Sequence, residues 1–298
     1  MIPSLTRYKQ EKQTVCDHLL ADSQLYETSA GKVEAALLGR GDPILISHGS
    51  GGGYDMGIWL AKLIKGEFQY IAPSRFGYLR SPLPSIPTPE NQADTYAALL
   101  DSLKVNTVVM IGLSAGGASA LQFALRHAKR CRGLIMISAV SLPVPPLPRF
   151  LQAVFPLMLK SDFLPWLLYA VSPHKVFQSN GVSQELLKKI DHDQEKMRLL
   201  DALYQSTFPS TLRRDGMIND MQLLTNFSPY PIEQIDCPAL VIHATNDPII
   251  PFESGKFTAQ TIPNAEFLQL KDGGHFTCVT HREETIPVIQ RFLNGCKE

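Results

Sequence analysis

Three side chains, Ser114, Asp247 and His275, are of the types that nucleophilic catalysis by serine requires, and where such a serine lies on a strand-to-helix turn the acid and the histidine are expected to follow it in this order. Ser114 lies in the stretch Gly-Leu-Ser-Ala-Gly, where an apolar run passes directly into a segment of helical periodicity. Asp247 and His275 each come just past a later apolar run. A serine hydroxyl becomes a strong nucleophile when a histidine accepts its proton and a carboxylate orients that histidine. The pattern predicts acyl-transfer chemistry with Ser114 as nucleophile, His275 as base and Asp247 as orienting acid.

The residues around Ser114 predict a tight turn between a strand and a helix. Gly112 and Gly116 lack Cβ atoms, so the strand and helix can approach closely while Ser114 projects above the strand's carboxyl end. The backbone N–H of Ala115 would then lie at the helix N-terminus, where free donors and the helix dipole favour a developing oxyanion. The alternative is a plain strand-to-helix turn, because this short pattern also recurs by chance.

A glycine-rich loop earlier in the chain, residues 49–53, predicts a second oxyanion donor. Its backbone N–H groups are poorly shielded, and that of Ser50 is the best candidate, with Gly51 next. Gly49 turns the loop, and we expect Gly49 and His48 to lie beside the substrate. The His48 imidazole is expected to hydrogen-bond the loop backbone rather than act as base, because a later histidine holds that place in the order.

Two other acids compete with Asp247 for the orienting role. Asp272 lies only three residues before His275, so one loop would have to place both side chains. Asp236 precedes its apolar run and is better suited to a turn or cap. Asp247 follows its run, which is the position that the chain order favours.

No metal site is predicted. Asp191, His192 and Asp193 are sequence neighbours, and neighbours on a helix do not face one site. The five cysteines are widely spaced without a C-x-x-C pair and are expected to be free thiols in a reducing compartment.

The elements that position these residues alternate between short β-rich runs and stretches of helical period. Predicted strands are 33–39, 43–49, 68–74, 107–112, 133–138, 238–244 and 265–270, and predicted helices include 88–103, 120–128 and 282–295. Such alternation predicts an α/β fold with a mostly parallel sheet covered on both faces.

One segment, 141–233, contains no convincing strand and is predicted to be an inserted helical cap. The core domain would then comprise residues 1–140 and 234–298. Within the cap, 150–171 is apolar, but Lys160 and Asp162 interrupt its middle and two prolines break it, so we expect two short helices rather than a membrane span. Phe155 and Trp166 are expected to line the roof of a substrate pocket.

Composition excludes some classes of partner. Lys and Arg number 28, as do Asp and Glu, so no broad positive field favours nucleic acid. The first twenty residues carry charges where a signal peptide needs an apolar centre, which predicts a cytoplasmic protein.

The stretches HGSGGG, GLSAGG, ATNDPIIP and DGGH, in this order, resemble those of the α/β-hydrolase superfamily. The resemblance spans the chain apart from the cap. It implies a sheet of about eight strands, a cap after the sixth strand, no cofactor, and the roles already given to Ser114, Asp247 and His275. Many relatives carry an Asp-Arg-Gly turn where this chain has Ser74 and Arg75, and Arg75 is expected either to contact substrate or to serve the turn structurally.

The expected reaction is hydrolysis of a small-molecule carboxylic ester with a mainly apolar acyl or alcohol group. The glycine-rich loop also resembles that of C–C bond hydrolases acting on ring-fission dienoates, although those relatives usually have Met where this chain has Ala115. A third alternative is a ligand-sensing protein that keeps the fold. A homodimer is a further open expectation.

Overall fold

An eight-stranded sheet organises the chain, of which the computed structural model describes residues 4–297. The strand order is β1-β2-β4-β3-β5-β6-β7-β8. β2 is antiparallel to both of its neighbours, and the remaining pairs are parallel. The strands are β1 (Gln24–Thr28), β2 (Gly31–Gly39), β3 (Asp42–Ser47), β4 (Phe68–Pro73), β5 (Val108–Leu113), β6 (Cys131–Ile137), β7 (Ala239–Ala244) and β8 (Ala265–Leu270). The predicted mostly parallel α/β sheet is confirmed.

Helices cover both faces of this sheet. They are α1 (Leu5–Ala21), α2 (Tyr54–Ile64), α3 (Pro89–Ser102), α4 (Gly117–Arg126), α5 (Arg149–Met158), α6 (Phe163–Val171), α7 (Pro173–Ser179), α8 (Gln184–Asp191), α9 (Gln194–Gln205), α10 (Arg214–Leu223), α11 (Phe252–Thr261), α12 (Thr277–Thr280) and α13 (Arg282–Gly295). Alternation along β3 sends Ile44 and Ile46 into the core beneath α2 and α13, and Leu45 into the core beneath α3, α4 and α11. Both faces of the sheet are therefore buried.

Several elements were not predicted. The sequence pattern missed α1, β1, α2 and α11. Helix α2 begins at Tyr54, directly after the glycine-rich loop. Its N-cap is Gly53, which offers no side-chain hydrogen bond, so the start signals are limited to this glycine and Asp55 in the first turn.

Between β6 and β7 the structure describes every residue and shows helices α5–α10 and no strand. The apolar stretch 150–171 forms the two short helices α5 and α6. Pro156 lies inside α5 instead of ending it, and the break falls at residues 159–162. The division into core and cap domains stays a prediction, and residues 1–3 and 298 of the core assignment lie outside the described residues.

Within residues 4–297, no individual helix has both the length and the apolar character needed to cross a membrane. Only α5 and α6 taken together meet that criterion, and they are bent by 100° relative to each other.

Candidate active site

The turn that carries Ser114 is held in a strained backbone conformation. β5 ends at Leu113, and a short 3-10 helix, Ser114–Gly116, leads into α4. Ser114 has φ +52°, a conformation that costs a non-glycine residue about 1–3 kcal/mol. A Cβ at Gly116 would lie 2.2 Å from the carbonyl oxygen of Ser47, so only glycine lets this turn pack against β3. The turn thus raises Ser114 above the sheet, as predicted.

The three predicted catalytic side chains form one hydrogen-bonded chain. His275 Nε2 lies 2.9 Å from Ser114 Oγ, and His275 Nδ1 lies 2.8 Å from Asp247 Oδ2. The other carboxylate oxygen, Asp247 Oδ1, accepts the backbone N–H groups of Ile249 and Ile250 at 2.9 and 3.0 Å. These distances allow direct proton transfer from the serine hydroxyl to the imidazole.

Asp247 is held in its charged form. Burial alone would raise the pKa of Asp247, but His275 and the N–H groups of Ile249 and Ile250 outweigh it, so the pKa lies below its usual range. The competing acid, Asp272, pairs with His281 at 3.1 Å and makes no hydrogen bond to His275. The chain-order argument therefore selected the acid that contacts the imidazole.

Hydrogen bonds join the loop that carries His275 to the segment after α7. The backbone N–H of His275 donates to the carbonyl oxygen of Asn180 at 2.8 Å. The side chain of Asn246 accepts from the Gly274 N–H at 2.9 Å and donates to the Gly181 carbonyl at 2.9 Å. The acid loop, the histidine loop and residues 180–181 are thereby held in one arrangement.

The glycine-rich loop passes directly beside Ser114. An added Cβ at Gly49 would lie 3.0 Å from Ser114 Cβ and 3.6 Å from its Oγ, so a side chain here would press on the serine. Gly49, Ser50 and Gly51 line the same cavity as Ser114. Ala115 follows the serine and is buried at the start of the helical turn. Of the candidate oxyanion donors, Ser50 and Gly51 line the cavity at Ser114 and Ala115 adjoins the serine in sequence; their role in holding an oxyanion stays a prediction.

A buried arginine from the segment before α10 supports the glycine-rich loop. Arg213 has no exposed surface, and its Nη1 donates to the Gly52 carbonyl at 2.7 Å. The same guanidinium contacts both Asp55 carboxylate oxygens, at 3.1 and 2.8 Å, and the Phe208 carbonyl at 3.2 Å. Sequence reasoning missed Arg213, because nothing local marks a contact between residues about 160 positions apart.

A second buried ion pair, between Arg75 and Asp220, also reaches this loop. Both Nη atoms of Arg75 donate to the Asp220 carboxylate, at 2.8 and 2.5 Å. Asp220 also accepts the Tyr78 hydroxyl at 2.5 Å, and that hydroxyl lies 3.2 Å from Ser50 Oγ. Arg75 does not line the cavity at Ser114, and both of its Nη atoms are bound to Asp220, so these contacts support the structural alternative for this residue.

His48 is also a structural residue. Its Nε2 accepts the backbone N–H of Arg75 at 2.9 Å, which places the proton on Nδ1, and Nδ1 donates to the Gly49 carbonyl at 2.7 Å. Burial and the nearby Arg75 cation hold the pKa of His48 well below its usual range, so the ring is neutral. The expected hydrogen bond to the loop is present, while the buried ring does not line the cavity, so a place of His48 beside the substrate stays a prediction.

The cavity next to Ser114 has a volume of about 320 Å³, within the range typical of small-molecule sites. None of the described residues that line it is Asp, Glu, Lys or Arg. Its walls are mainly apolar, formed by Met56, Trp59, Leu113, Ile137, Val176, Phe177, Leu200, Leu203, Met217, Ile249, Phe276 and Cys278. Burial raises the pKa of Cys278 to about 12, so this thiol is not a competing thiolate nucleophile.

The predicted roof residues Phe155 and Trp166 lie away from this cavity. Trp166 packs against Tyr8 at a ring-centroid distance of 5.2 Å, and its indole N–H donates to Glu11 at 2.6 Å. Its surface is thus covered by α1, which was not predicted. The wall opposite the sheet comes instead from α7, α9 and α10.

Within residues 4–297, no group of three or more His, Cys, Asp or Glu side chains could hold a metal ion, and the five cysteines are free. Asp191 pairs with His174 at 2.7 Å, and Asp193 caps α9.

Comparisons with known proteins agree with this architecture. A family described as alpha/beta hydrolase fold matches residues 42–282. The chain is 27% identical to a poly(3-hydroxyalkanoate) depolymerase from Ectopseudomonas oleovorans, covering 84% of each protein. It is 26% identical to a 2-hydroxymuconate semialdehyde hydrolase from Pseudomonas putida, covering 86% of this chain and 88% of that protein.

Among solved structures, an alpha/beta hydrolase fold protein from Nakamurella multipartita is similar with a TM-score of 0.76 and 28% identity. The match covers 92% of this chain and 98% of that one. Since the family match spans most of the sequence and the structural likeness extends over nearly the whole fold, the chain belongs to the α/β hydrolase family and is a hydrolase.

Proposed function

We propose that this protein hydrolyses neutral carboxylic esters with a mainly apolar acyl or alcohol group through a covalent acyl-enzyme. The observation that carries the proposal is the position of Ser114, whose hydroxyl is hydrogen-bonded to His275 and opens onto an apolar cavity without charged lining residues. A hydroxyl activated in this way attacks carbonyl carbon, and the cavity favours an uncharged group beside it.

The reaction would begin when Ser114 Oγ attacks the ester carbonyl carbon and its proton passes to His275 Nε2. Asp247 keeps the imidazole in the required tautomer and stabilises the imidazolium. The negative charge on the tetrahedral oxygen is received by the backbone N–H groups of Ala115 and Ser50, with that of Gly51 as the next candidate.

His275 then returns the proton to the departing alkoxide, and the alcohol leaves. Water enters the same position, gives its proton to His275 and attacks the acyl-enzyme carbonyl. Collapse of the second tetrahedral intermediate releases the carboxylic acid and restores the Ser114 hydroxyl.

The described residues that line the cavity include no Asp, Glu, Lys or Arg, and this favours an ester over a ring-fission dienoate as substrate. A dienoate carries a carboxylate, which loses several kcal/mol of hydration when buried without a cation. Arg75, the cation that the sequence analysis considered for substrate contact, is already paired with Asp220. The named relatives include a C–C bond hydrolase as well as a depolymerase, so their names alone do not choose between the reactions.

A rate series on p-nitrophenyl esters from acetyl to dodecanoyl, run on the wild type and on Ser114→Ala, tests the proposal. We expect turnover to peak at one chain length and to fall by about 10⁶-fold without the nucleophile. Ser50→Ala is the matched control, because it keeps the backbone N–H and should retain activity within about tenfold.

Ester turnover that survives in Ser114→Ala would contradict the proposed mechanism. Consumption of a coloured ring-fission product without ester turnover would assign the site to C–C cleavage. Binding of small esters without turnover of either substrate would assign the fold to ligand sensing.

A further inference from the structure

The helices α5 and α6 present an unusual concentration of exposed apolar side chains. None of the ten residues of α5 is buried, and Phe150 and Leu157 expose 72% and 59% of their surfaces. In α6, Leu164, Leu168 and Val171 are also exposed. Together with Leu151 and Met158, these side chains define what we call the α5–α6 patch. Soluble proteins rarely expose so many large apolar residues in so short a stretch without a binding partner.

The exposed charged side chains around this patch are basic. Between residues 142 and 176, the charged side chains exposed to solvent are Arg149, Lys160 and Lys175. The one acid in the same stretch, Asp162, is buried and accepts hydrogen bonds from Lys12 at 2.7 Å and from the Thr211 backbone at 2.8 Å. It therefore contributes no free negative charge to the surface.

Acidic residues from neighbouring elements are also engaged where they reach this segment. Glu11 is paired with Arg7 at 2.6 Å and accepts the Trp166 indole N–H. Asp201 accepts the Tyr169 hydroxyl. Asp191 lies 2.7 Å from His174. Within residues 142–176 the patch is thus apolar with a positive border, because its exposed charged side chains are Arg149, Lys160 and Lys175.

From this combination we infer that the α5–α6 patch docks on an anionic lipid surface. The apolar side chains would enter the boundary between headgroups and acyl chains, while Arg149, Lys160 and Lys175 contact lipid phosphates. A second copy of this chain fits the patch poorly, because a two-fold interface would bring the three cations of both copies into one contact region, and residues 142–176 offer no exposed acid to offset them. The inference concerns binding alone and does not depend on the proposed reaction.

Docking here would place the surface next to the candidate active site. α7 follows α6 after Ser172, and its Val176 and Phe177 line the cavity at Ser114. Neither the exposed residues of the patch nor its three cations line that cavity. Substitutions in the patch can therefore be tested for lipid binding while ester turnover in solution serves as a check of the fold.

The test is co-sedimentation of the full chain with phosphatidylcholine vesicles, with and without phosphatidylglycerol. The wild type is expected to bind the mixed vesicles and to bind less at high salt, because screening weakens the contribution of the cations. The triple variant Phe150→Ser, Leu157→Ser, Leu168→Ser should bind at least about tenfold more weakly. Neutralising the three cations to Gln should weaken binding to the mixed vesicles by about 100-fold.

The matched control is Leu37→Ser, Leu83→Ser, Ile86→Ser, three exposed apolar residues outside the patch. It should bind vesicles as the wild type does. Absence of wild-type binding at millimolar lipid, or equal loss in the control, would overturn the inference. A dimer seen by light scattering in the wild type and lost in the patch variant would also overturn it, because a second copy would then be the occupant.

Discussion

Replacing Arg213 with methionine should reduce catalysis although the residue touches neither the nucleophile nor the cavity. The substitution keeps a long apolar stem but removes the guanidinium that holds the Gly52 carbonyl and the Asp55 carboxylate. Gly52 belongs to the loop that carries the candidate oxyanion donor Ser50. With its support removed, the loop loses the fixed position on which stabilisation of an oxyanion depends.

The size of the effect can be bounded from the contacts. Arg213 is completely buried, and losing one partner of a buried ion pair costs about 3–5 kcal/mol of stability. The lower end applies, because the Asp55 side chain is 20% exposed and regains some hydration. Complete loss of one oxyanion donor lowers kcat by about 10²–10³-fold, so a loosened donor should lower it by about 10–100-fold with little change in KM.

The assay is steady-state hydrolysis of the best p-nitrophenyl ester, with urea unfolding of each variant. Leu293→Ala is the matched control for instability, because it removes a buried side chain of α13 at a cost of about 3 kcal/mol and lies outside the cavity lining. It should keep the wild-type kcat while folded. In the double variant Arg213→Met, Asp55→Leu, stability should partly recover while kcat stays low, since Gly52 is still unsupported. A kcat within about twofold of wild type in folded Arg213→Met would refute this reasoning.

Three further outcomes are expected. Asp247→Asn should lower kcat by about 10⁴-fold with the fold intact, because an amide orients the wrong tautomer of His275; a loss below about tenfold would contradict this role. Asp162→Asn should reduce stability by about 2 kcal/mol at pH 7 in urea unfolding. Burial alone would raise the pKa of Asp162, but Lys12 and the backbone hydrogen bond outweigh it, so the pKa lies below its usual range. The stability that the charged Asp162 contributes is therefore present above about pH 4 and is lost as the pH falls further. A difference in unfolding free energy between wild type and Asp162→Asn that widened below about pH 4 would contradict this sign. Met217 lines the cavity, so Met217→Ala should make room for a longer acyl chain. In a series of esters, kcat/KM relative to the acetyl ester should rise by about fourfold for each additional methylene that the enlarged cavity buries.

The candidate catalytic residues could be predicted because their signals are local. The strained turn at Ser114 requires glycines at fixed positions, and chain order alone separated Asp247 from Asp272. Each signal lies within a few residues of the side chain that it places. The structure places His275 within hydrogen-bond distance of both Ser114 and Asp247.

The cavity wall could not be predicted, because it depends on packing between distant segments. Trp166 is of a residue type that often lines pockets, but here α1 covers it. Arg75 and Arg213 are equally charged in the sequence, and only the placement of Asp220 and Asp55 shows that both are paired. Helix α1 itself buries only Leu19, so its apolar periodicity was too weak to mark it.

The most direct test of the proposed mechanism is mass spectrometry of the protein quenched within the first turnovers of a p-nitrophenyl ester. The account predicts an added mass equal to the acyl group, mapped to the peptide that contains Ser114 and absent from Ser114→Ala. His275→Ala should form the adduct far more slowly, because the hydroxyl then lacks its base. Rapid ester turnover with no acyl adduct on Ser114, or with an adduct on another residue, would contradict the account.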